Sequence, residues 1–217
     1  MTDGLDQTYA RMHWPLEPDG TVLVIIDQQN DFLHPDGWYA RQGIDISHMR
    51  RSIRPTRQLV QAARARRIPV IWTQHGFRDA AEGGLFLEMR PTLVDGGLRT
   101  DTWGYEVLDE LGAQPDDRYI HKNRLSAFFA TNLELVLRGL EARTVIFAGV
   151  LTNQCVAATS KDAYFRDIKP IVVEEATGTT MPHLHGPAIE MIAVGWGEVR
   201  SLAQTLQDIE ALPLSNR

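Results

Sequence analysis

Three residues of this chain combine the side-chain types that thiol-based acyl transfer needs. They are Asp27, Lys122 and Cys155, the single cysteine among 217 residues. A free thiol has a pKa of roughly 8.5, so it becomes a good nucleophile only with help from a base, a nearby positive charge or a helix N-terminus. Asp27 can accept the thiol proton, Lys122 can supply positive charge, and Thr152 and Asn153 are good N-caps for a helix that contains Cys155. These residues predict acyl transfer to sulfur followed by hydrolysis.

The three side chains follow separate strand-like segments. Asp27 comes after the run VLVII, Lys122 after DRYIH, and Cys155 stands in the helical stretch after TVIFAGV. Unbroken aliphatic runs are typical of parallel strands that are covered on both faces, and such sheets bind ligands beyond the carboxyl ends of their strands. Alone, the cysteine suggests a packing residue and the aspartate a cap. Their joint placement at one sheet edge predicts a reaction site.

Strands alternate with helices along the rest of the chain. Further strands are predicted at 68–74, 168–176 and 197–201, and helices at 49–67, 128–140, 152–167, 184–194 and 202–212. This alternation predicts an α/β fold: a single-domain, Rossmann-like three-layer α/β/α sandwich with a mainly parallel six-stranded sheet. The domain is expected at 21–210, between an N-terminal arm at 1–20 and a C-terminal tail at 211–217. Residues 75–104, rich in Gly, Arg and Asp, are predicted to enclose the substrate.

Composition excludes several classes of protein. The formal net charge of −6 leaves no basic field for a nucleic-acid backbone. The N-terminal stretch has neither the basic region nor the apolar core of a signal peptide, and no apolar run has the roughly 18 residues that a membrane span needs. One cysteine can form neither an internal disulfide nor a cysteine-based zinc site on its own. We expect a cytoplasmic protein without nucleic-acid or membrane partners.

Three motifs carry a resemblance to a known family. They are VIIDQQNDF around Asp27, HKNRLSAFFATNLE around Lys122 and AGVLTNQCVAATSKDA around Cys155. With them the chain resembles the isochorismatase-like cysteine hydrolases, in collinear order over about 21–206. That superfamily includes nicotinamidases, N-carbamoylsarcosine amidases, biuret hydrolases and ureidoacrylate amidohydrolases.

The resemblance implies roles for particular residues. It makes Asp27, Lys122 and Cys155 a catalytic triad, and it places an oxyanion hole at the backbone N–H groups of Leu151 and Cys155. It implies a cis peptide bond between Val150 and Leu151, a conformation that usually marks functional sites. It also implies a homodimer or homotetramer, in which a neighbouring subunit can complete the pocket.

Two departures from the family narrow the expected chemistry. Nicotinamidases carry an Asp-x-His set of metal ligands after the second strand, but this chain has WTQHGFRD there, which leaves His75 without the matching ligands. His183 and His185 are spaced like a ligand pair but lack nearby acids. We therefore expect no metal and no cofactor. True isochorismatases lack the cysteine, so its presence favours amide chemistry. HPDGWYARQGIDIS, Gln74–His75 and GWGEV look most like the ureidoacrylate and biuret branch.

A second group of residues is predicted to bind substrate. They are Phe32, Trp38, Gln74, His75, Arg124 and Phe128. The aromatic members can wall a pocket, although core packing is the alternative. Gln74 and His75 can bond a substrate carbonyl or stabilise a loop. Arg124 suits a substrate carboxylate or a surface ion pair.

The sequence thus predicts a cysteine-nucleophile amidohydrolase that cleaves the C–N bond of a small amide, ureide or carbamoyl compound through an acyl-thioester. One alternative is an isochorismatase-type or other small-molecule hydrolase that uses the same pocket. The other is a non-catalytic ligand-binding or thiol-sensing relative. A sensor needs Cys155 but has no use for both Asp27 and Lys122, which favours the enzyme.

Overall fold

Six parallel strands form one sheet in the computed structural model, which describes residues 12–216. The strands are β1 Thr21–Ile26, β2 Val70–His75, β3 Arg118–Lys122, β4 Thr144–Val150, β5 Lys169–Gly178 and β6 Glu198–Arg200. Their order across the sheet is β3-β2-β1-β4-β5-β6, and every neighbouring pair runs parallel. The predicted α/β fold with a parallel six-stranded sheet is confirmed, and β1 and β4 lie at its centre.

Helices cover both faces of the sheet. They are α1 Asn30–Leu33, α2 Trp38–Arg41, α3 Ser47–Arg50, α4 Ile53–Ala65, α5 Ala80–Gly83, α6 Leu85–Glu88, α7 Leu133–Gly139, α8 Ala157–Tyr164, α9 His185–Gly195 and α10 Leu202–Ala211. Short 3-10 turns lie at Pro91–Leu93, Trp103–Tyr105, Asp109–Leu111 and Pro182–Leu184, and a π-helix at Thr152–Val156 precedes α8. No helix within residues 12–216 combines the length and apolar character needed to cross a bilayer.

Alternate side chains of the central strands enter two separate cores. Leu23 and Ile25 of β1 pack on one face of the sheet, with the side chains of α4. Val22, Val24 and Ile26 pack on the other face, with those of α7, α8 and α9. Because successive side chains of a strand point to opposite faces, a strand covered on both sides must be apolar throughout. This explains the unbroken run VLVII.

The helix predicted at 128–140 begins later than expected. It starts at Leu133, because Ala130 has a φ of 54°, which is left-handed and ends any right-handed helix before it. The Thr131 hydroxyl accepts a hydrogen bond from Leu133 N at 3.1 Å and so satisfies an amide at the new helix start. The segment between β3 and α7 is therefore a loop.

Asp31 ties the two long loops beside the site together. Its carboxylate is buried and accepts hydrogen bonds from Trp38 N at 3.0 Å and from Leu98 N at 2.6 Å. Trp38 begins α2, whereas Leu98 belongs to the predicted substrate-enclosing stretch 75–104. One buried acid thus fixes both loops by their backbone amides, a charge-assisted arrangement.

The described part of the predicted arm lies against its own chain. Trp14 packs on the core, and its backbone N–H donates to Glu198 at 2.7 Å. Arg200 donates to the carbonyl of Trp14 and forms an ion pair with Glu198 at 2.5 Å. Residues 1–11 of the predicted arm and residue 217 of the predicted tail lie outside the described residues.

Candidate active site

Asp27, Lys122 and Cys155 meet at the carboxyl edge of the sheet. Asp27 follows β1, Lys122 ends β3, and Cys155 lies in the π-helix after β4. The ammonium of Lys122 stands 2.6 Å from Asp27 Oδ2 and donates to Cys155 Sγ at 3.4 Å. All three side chains are buried. The order of the strands thus brings a carboxylate, an ammonium and a thiol into one cluster.

Thr73 holds the Asp27 carboxylate in place. Its hydroxyl donates to Asp27 Oδ1 at 2.5 Å and accepts from Asp27 N at 3.1 Å. Asp27 itself has a φ of 51°, a left-handed conformation that Asp tolerates better than most residues. Each carboxylate oxygen therefore has its own partner, Thr73 on one side and Lys122 on the other. Sequence analysis missed Thr73, because a threonine inside a strand has no distinguishing pattern.

His75 is a fourth buried polar group at this cluster. Its Nδ1 lies 3.2 Å from Lys122 Nζ, 3.8 Å from Asp27 Oδ2 and 3.9 Å from Cys155 Sγ. Burial, followed by the charge of Lys122, holds the pKa of His75 well below its usual value, so the ring is neutral. Since the ammonium donates to Nδ1, the ring proton is on Nε2. Nε2 has no hydrogen-bond partner among the described residues, and the ring packs against Phe86.

The thiol rests in its protonated form. Burial raises the pKa of Cys155 to about 12; the positive charge of Lys122 opposes this rise, and the negative charge of Asp27 adds to it. Burial alone would lower the pKa of Lys122, but the charges of Asp27 and Cys155 outweigh it and leave the pKa raised. Lys122 thus stays charged. Its favourable effect on the thiolate, expected from the sequence, is present but smaller than the cost of desolvation.

Asp27, His75 and Cys155 would each offer one ligand atom to a metal ion, and these atoms lie within 4.8 Å of one another. The ammonium of Lys122 already stands among them, at 2.6 to 3.4 Å from all three. A cation placed there would face a buried like charge. The donor set therefore fits the lysine better than a metal.

The turn before Cys155 differs from the capped helix start that was predicted. The peptide bond between Val150 and Leu151 is cis, as the resemblance implied. Thr152 contacts His185 Nδ1 at 3.0 Å, and Asn153 accepts from Thr179 at 2.7 Å. Neither side chain caps the helix, since both bond outward to later segments. The oxyanion hole at Leu151 and Cys155 stays a prediction.

A pocket of about 340 Å³ opens beside this turn. It is lined by Trp38, Tyr39, Ile44, Met89, Arg90, Pro91, Thr92, Leu93, Leu151, Gln154, Thr180 and Met181. Residues 89–93 come from the stretch that was predicted to enclose the substrate, and Leu151 and Gln154 belong to the turn that carries Cys155. The size is in the range of small-ligand sites.

Of the aromatic residues predicted to bind substrate, one lines the pocket. Trp38 forms part of its wall. Phe32 is buried behind it, with its ring 4.7 Å from the ring of Tyr39. Phe128 does not line the pocket; it lies under the guanidinium of Arg166, in the hydrophobic cluster that also contains Cys155. The sequence indicated aromatic residues after Asp27 but did not distinguish Tyr39, which lines the pocket, from Phe32, which supports it.

Two of the polar residues predicted to bind substrate lie away from the pocket. Gln74 donates to the carbonyl of Tyr105 at 3.0 Å and lines a separate cavity of about 250 Å³. Arg124 donates to the carbonyls of Glu82 and Asn123, at 2.7 Å each. The arginine in the pocket wall is Arg90 instead. Its only sequence signal was its position in the stretch 75–104, because side-chain direction within an irregular loop does not follow from periodicity.

Comparisons with known proteins show the family to which the chain belongs. Residues 21–204 match the family model described as the isochorismatase domain. The chain is 33% identical to the ureidoacrylate amidohydrolase RutB of Caulobacter segnis over 80% of this chain and 76% of that protein. It is 34% identical to the enzyme of the same name from Agrobacterium fabrum, over 75% and 77%.

Among solved structures, a cysteine hydrolase from Pseudomonas syringae pv. phaseolicola superposes with a TM-score of 0.86 at 27% identity, over 94% of this chain and 99% of that chain. An N-carbamoylsarcosine amidase from Thermoplasma acidophilum has the same fold, with a TM-score of 0.69 at 24% identity, over 84% and 96%. The chain belongs to the isochorismatase family of hydrolases. The kinship inferred from its three motifs is confirmed.

Proposed function

We propose that the protein is a cysteine-nucleophile amidohydrolase that cleaves the C–N bond of a small ureide through an acyl-thioester on Cys155. One observation carries the proposal: the sole thiol lies 3.4 Å from an ammonium that is itself 2.6 Å from a buried carboxylate, beside a pocket of small-ligand size. Kinship with relatives named ureidoacrylate amidohydrolases makes the enzyme a C–N hydrolase and favours a ureide over other amides.

In the first half-reaction, Sγ of Cys155 attacks the substrate carbonyl carbon while Asp27 takes the thiol proton. The backbone N–H groups of Leu151 and Cys155 are the proposed donors to the oxyanion that forms. When the C–N bond breaks, Asp27 returns the proton to the leaving amine. Lys122 remains charged throughout and stabilises the negative charge that passes through sulfur.

In the second half-reaction, water replaces the amine. Asp27 accepts a proton from the water as its oxygen attacks the thioester carbon, and the C–S bond then breaks. The proton on Asp27 passes to the sulfur that leaves, which restores the resting thiol and carboxylate. For a ureide, the released acid is carbamate. Every proton that Asp27 accepts is thus returned within the same half-reaction.

The geometry disfavours the two alternatives. Hydrolysis of a vinyl ether needs no acyl-thiol intermediate, so an isochorismatase-type reaction leaves Cys155 without a role. A non-catalytic relative would keep a buried Lys122–Asp27 pair whose desolvation is costly, without the reaction that uses it.

The test is to incubate the enzyme with a panel of simple ureides, quench the reaction and search by mass spectrometry for a carbamoyl group on Cys155. Amine and ammonia release are measured in parallel. Cys155→Ser should fold and lose at least about 10³ in kcat, because a hydroxyl is far less acidic than a thiol. Turnover near the normal rate in that variant would end the thiol mechanism, and absence of turnover across the panel would end the ureide assignment.

A further inference from the structure

Arg90 brings a positive charge to the pocket wall without a carboxylate partner among the described residues. Its guanidinium donates to Gln154 Oε1 at 2.6 Å, and its carbon lies 4.0 Å from the centre of the Phe86 ring. By contrast, Arg64 and Arg200 each pair with a carboxylate at 2.5 Å. A guanidinium has five N–H donors, so neutral contacts of this kind leave capacity for an anion.

Tyr39 adds a free hydroxyl to the same wall. Its side chain is 7% exposed, and its hydroxyl has no hydrogen-bond partner among residues 12–216. Burial raises the pKa of Tyr39, and the nearby charge of Arg90 lowers it only in part, so the phenol is neutral and able to donate. Because Tyr39 lines the pocket, a hydroxyl with no protein acceptor there can donate to a ligand or to water.

The residues of the pocket wall carry a positive charge that no carboxylate of the wall balances, while the buried Asp31 lies behind the wall and accepts from the backbone N–H groups of Trp38 and Leu98. Asp27 and Lys122 cancel each other, and His75 is neutral. The pocket-lining residues include no Asp or Glu, and Arg90 is the one charged side chain among them. In a partly desolvated site, one uncompensated positive charge attracts an anion more strongly than it would in water.

From these observations we infer that Arg90 and Tyr39 bind a carboxylate of the substrate, so that the enzyme selects ureides of amino acids over uncharged ureides. The unused N–H groups of Arg90 donate to one oxygen of the carboxylate, and the Tyr39 hydroxyl donates to the other oxygen. Gln154 orients the guanidinium and directly precedes Cys155, which links the anion site to the nucleophile. The inference rests on the proposed function, because that function places the scissile C–N bond at Cys155. Binding of a carboxylate at Arg90 does not itself require that the ligand is hydrolysed.

The inference also replaces one made from the sequence. Arg124 was the predicted carboxylate ligand, yet its guanidinium donates to two backbone carbonyls outside the pocket. Arg124 therefore serves as a matched control for Arg90, since both are arginines of loops near the site whose guanidinium groups donate only to neutral groups.

The experiment compares 3-ureidopropanoate with 3-methylbutylurea, in which an uncharged isopropyl group replaces the carboxylate. We measure kcat/KM for both in the wild type, Arg90→Gln, Arg90→Lys, Tyr39→Phe and Arg124→Gln. The wild type should prefer the carboxylate by about 10²-fold, the scale of a charge-assisted pair. Arg90→Gln should remove most of this preference, mainly through KM, and Arg90→Lys should restore part of it. Tyr39→Phe should reduce it by about tenfold, and Arg124→Gln should leave the ratio unchanged.

Binding of both compounds to Cys155→Ala, measured by calorimetry, separates this inference from the proposed function. Carboxylate-selective binding that Arg90→Gln abolishes supports the anion site even if no ureide is turned over. Equal affinity for the two compounds, or equal losses for both in Arg90→Gln, would overturn it. A changed ratio in Arg124→Gln alone would return the carboxylate to the residue that the sequence suggested.

Discussion

Asp27→Asn should make Cys155 easier to alkylate while it abolishes turnover. In the wild type the pKa of the thiol is about 12 rather than 9.0. At pH 7, about 10⁻⁵ of the thiol is then ionised instead of about 10⁻², so iodoacetamide should react about 10³-fold more slowly than with an ordinary thiol. The rate should rise tenfold per pH unit without a plateau below pH 10.

The sign of the Asp27 effect follows from the geometry. Its carboxylate lies within 4.8 Å of Sγ and raises the pKa of Cys155. At an effective dielectric constant of about 20, that separation corresponds to at least about 3.5 kcal/mol of repulsion between carboxylate and thiolate. The isosteric amide removes the charge and also the base. Alkylation at pH 7 should therefore accelerate about 10²-fold, while acylation by substrate is lost.

The assay is simple because Cys155 is the single cysteine of the chain. Alkylation is followed by mass spectrometry from pH 6 to 10, beside Lys122→Met as the variant of opposite charge. Lys122→Met should be slower than Asp27→Asn at every pH, since Lys122 is the group that lowers the pKa of the thiol. Slower alkylation in Asp27→Asn than in the wild type would show that Asp27 ionises the resting thiol, and the reasoning would fail.

Three further outcomes are expected. Thr73→Val leaves Asp27 Oδ1 without its hydrogen-bond donor, so urea denaturation should show that the free energy of unfolding falls by about 1–3 kcal/mol. In the same variant kcat should fall by a larger factor than KM rises, and an unchanged kcat would show that Thr73 does not belong to the site. Gly149→Ala should prevent folding, because Gly149 has a φ of 119° and a Cβ there would lie 2.1 Å from a backbone oxygen. Gly139→Ala is the control: no atom lies close to the added Cβ, so this variant should fold at least as stably as the wild type when both are followed by circular dichroism. Dialysis against EDTA should leave activity intact because Lys122 occupies the space among the potential ligands; activity that is lost and then restored by zinc, iron or manganese would contradict this.

The sheet and the residues at its edge were predictable because each depends on a short, local pattern. An apolar run such as Val22–Ile26 must be covered on both faces, and parallel strands place their carboxyl ends together whatever their order. Asp27, Lys122 and Cys155 could thus be assigned to one edge before the order of the strands was known. Their contact distances required the three-dimensional arrangement.

The pocket wall was less predictable for a physical reason. Arg90 and Tyr39 lie on short helical or irregular segments, where one change of backbone direction decides whether a side chain faces the pocket, the core or solvent. Arg124 is the opposite case: it stands close to Lys122 in the sequence, but its guanidinium donates to nearby backbone carbonyls and not into the pocket. No periodic signal separates these outcomes.

If the thiol of Cys155 is protonated at rest, its attack on a substrate requires both a base and a cation, which would explain why Asp27 and Lys122 are both buried beside it. An enzyme that held a permanent thiolate would need only the cation, and its sulfur would be open to alkylation and oxidation at all times. In the proposed mechanism the proton leaves Cys155 only when a substrate carbonyl accepts the electron pair, because Asp27 takes the proton while the negative charge moves from sulfur to the carbonyl oxygen. The ammonium of Lys122 contacts both Asp27 and Sγ, so in the proposed mechanism it holds the carboxylate before attack and stabilises sulfur during attack. Removing the charge of either Asp27 or Lys122 leaves the other charge buried without a partner. The double variant should therefore be scarcely less active than either single variant.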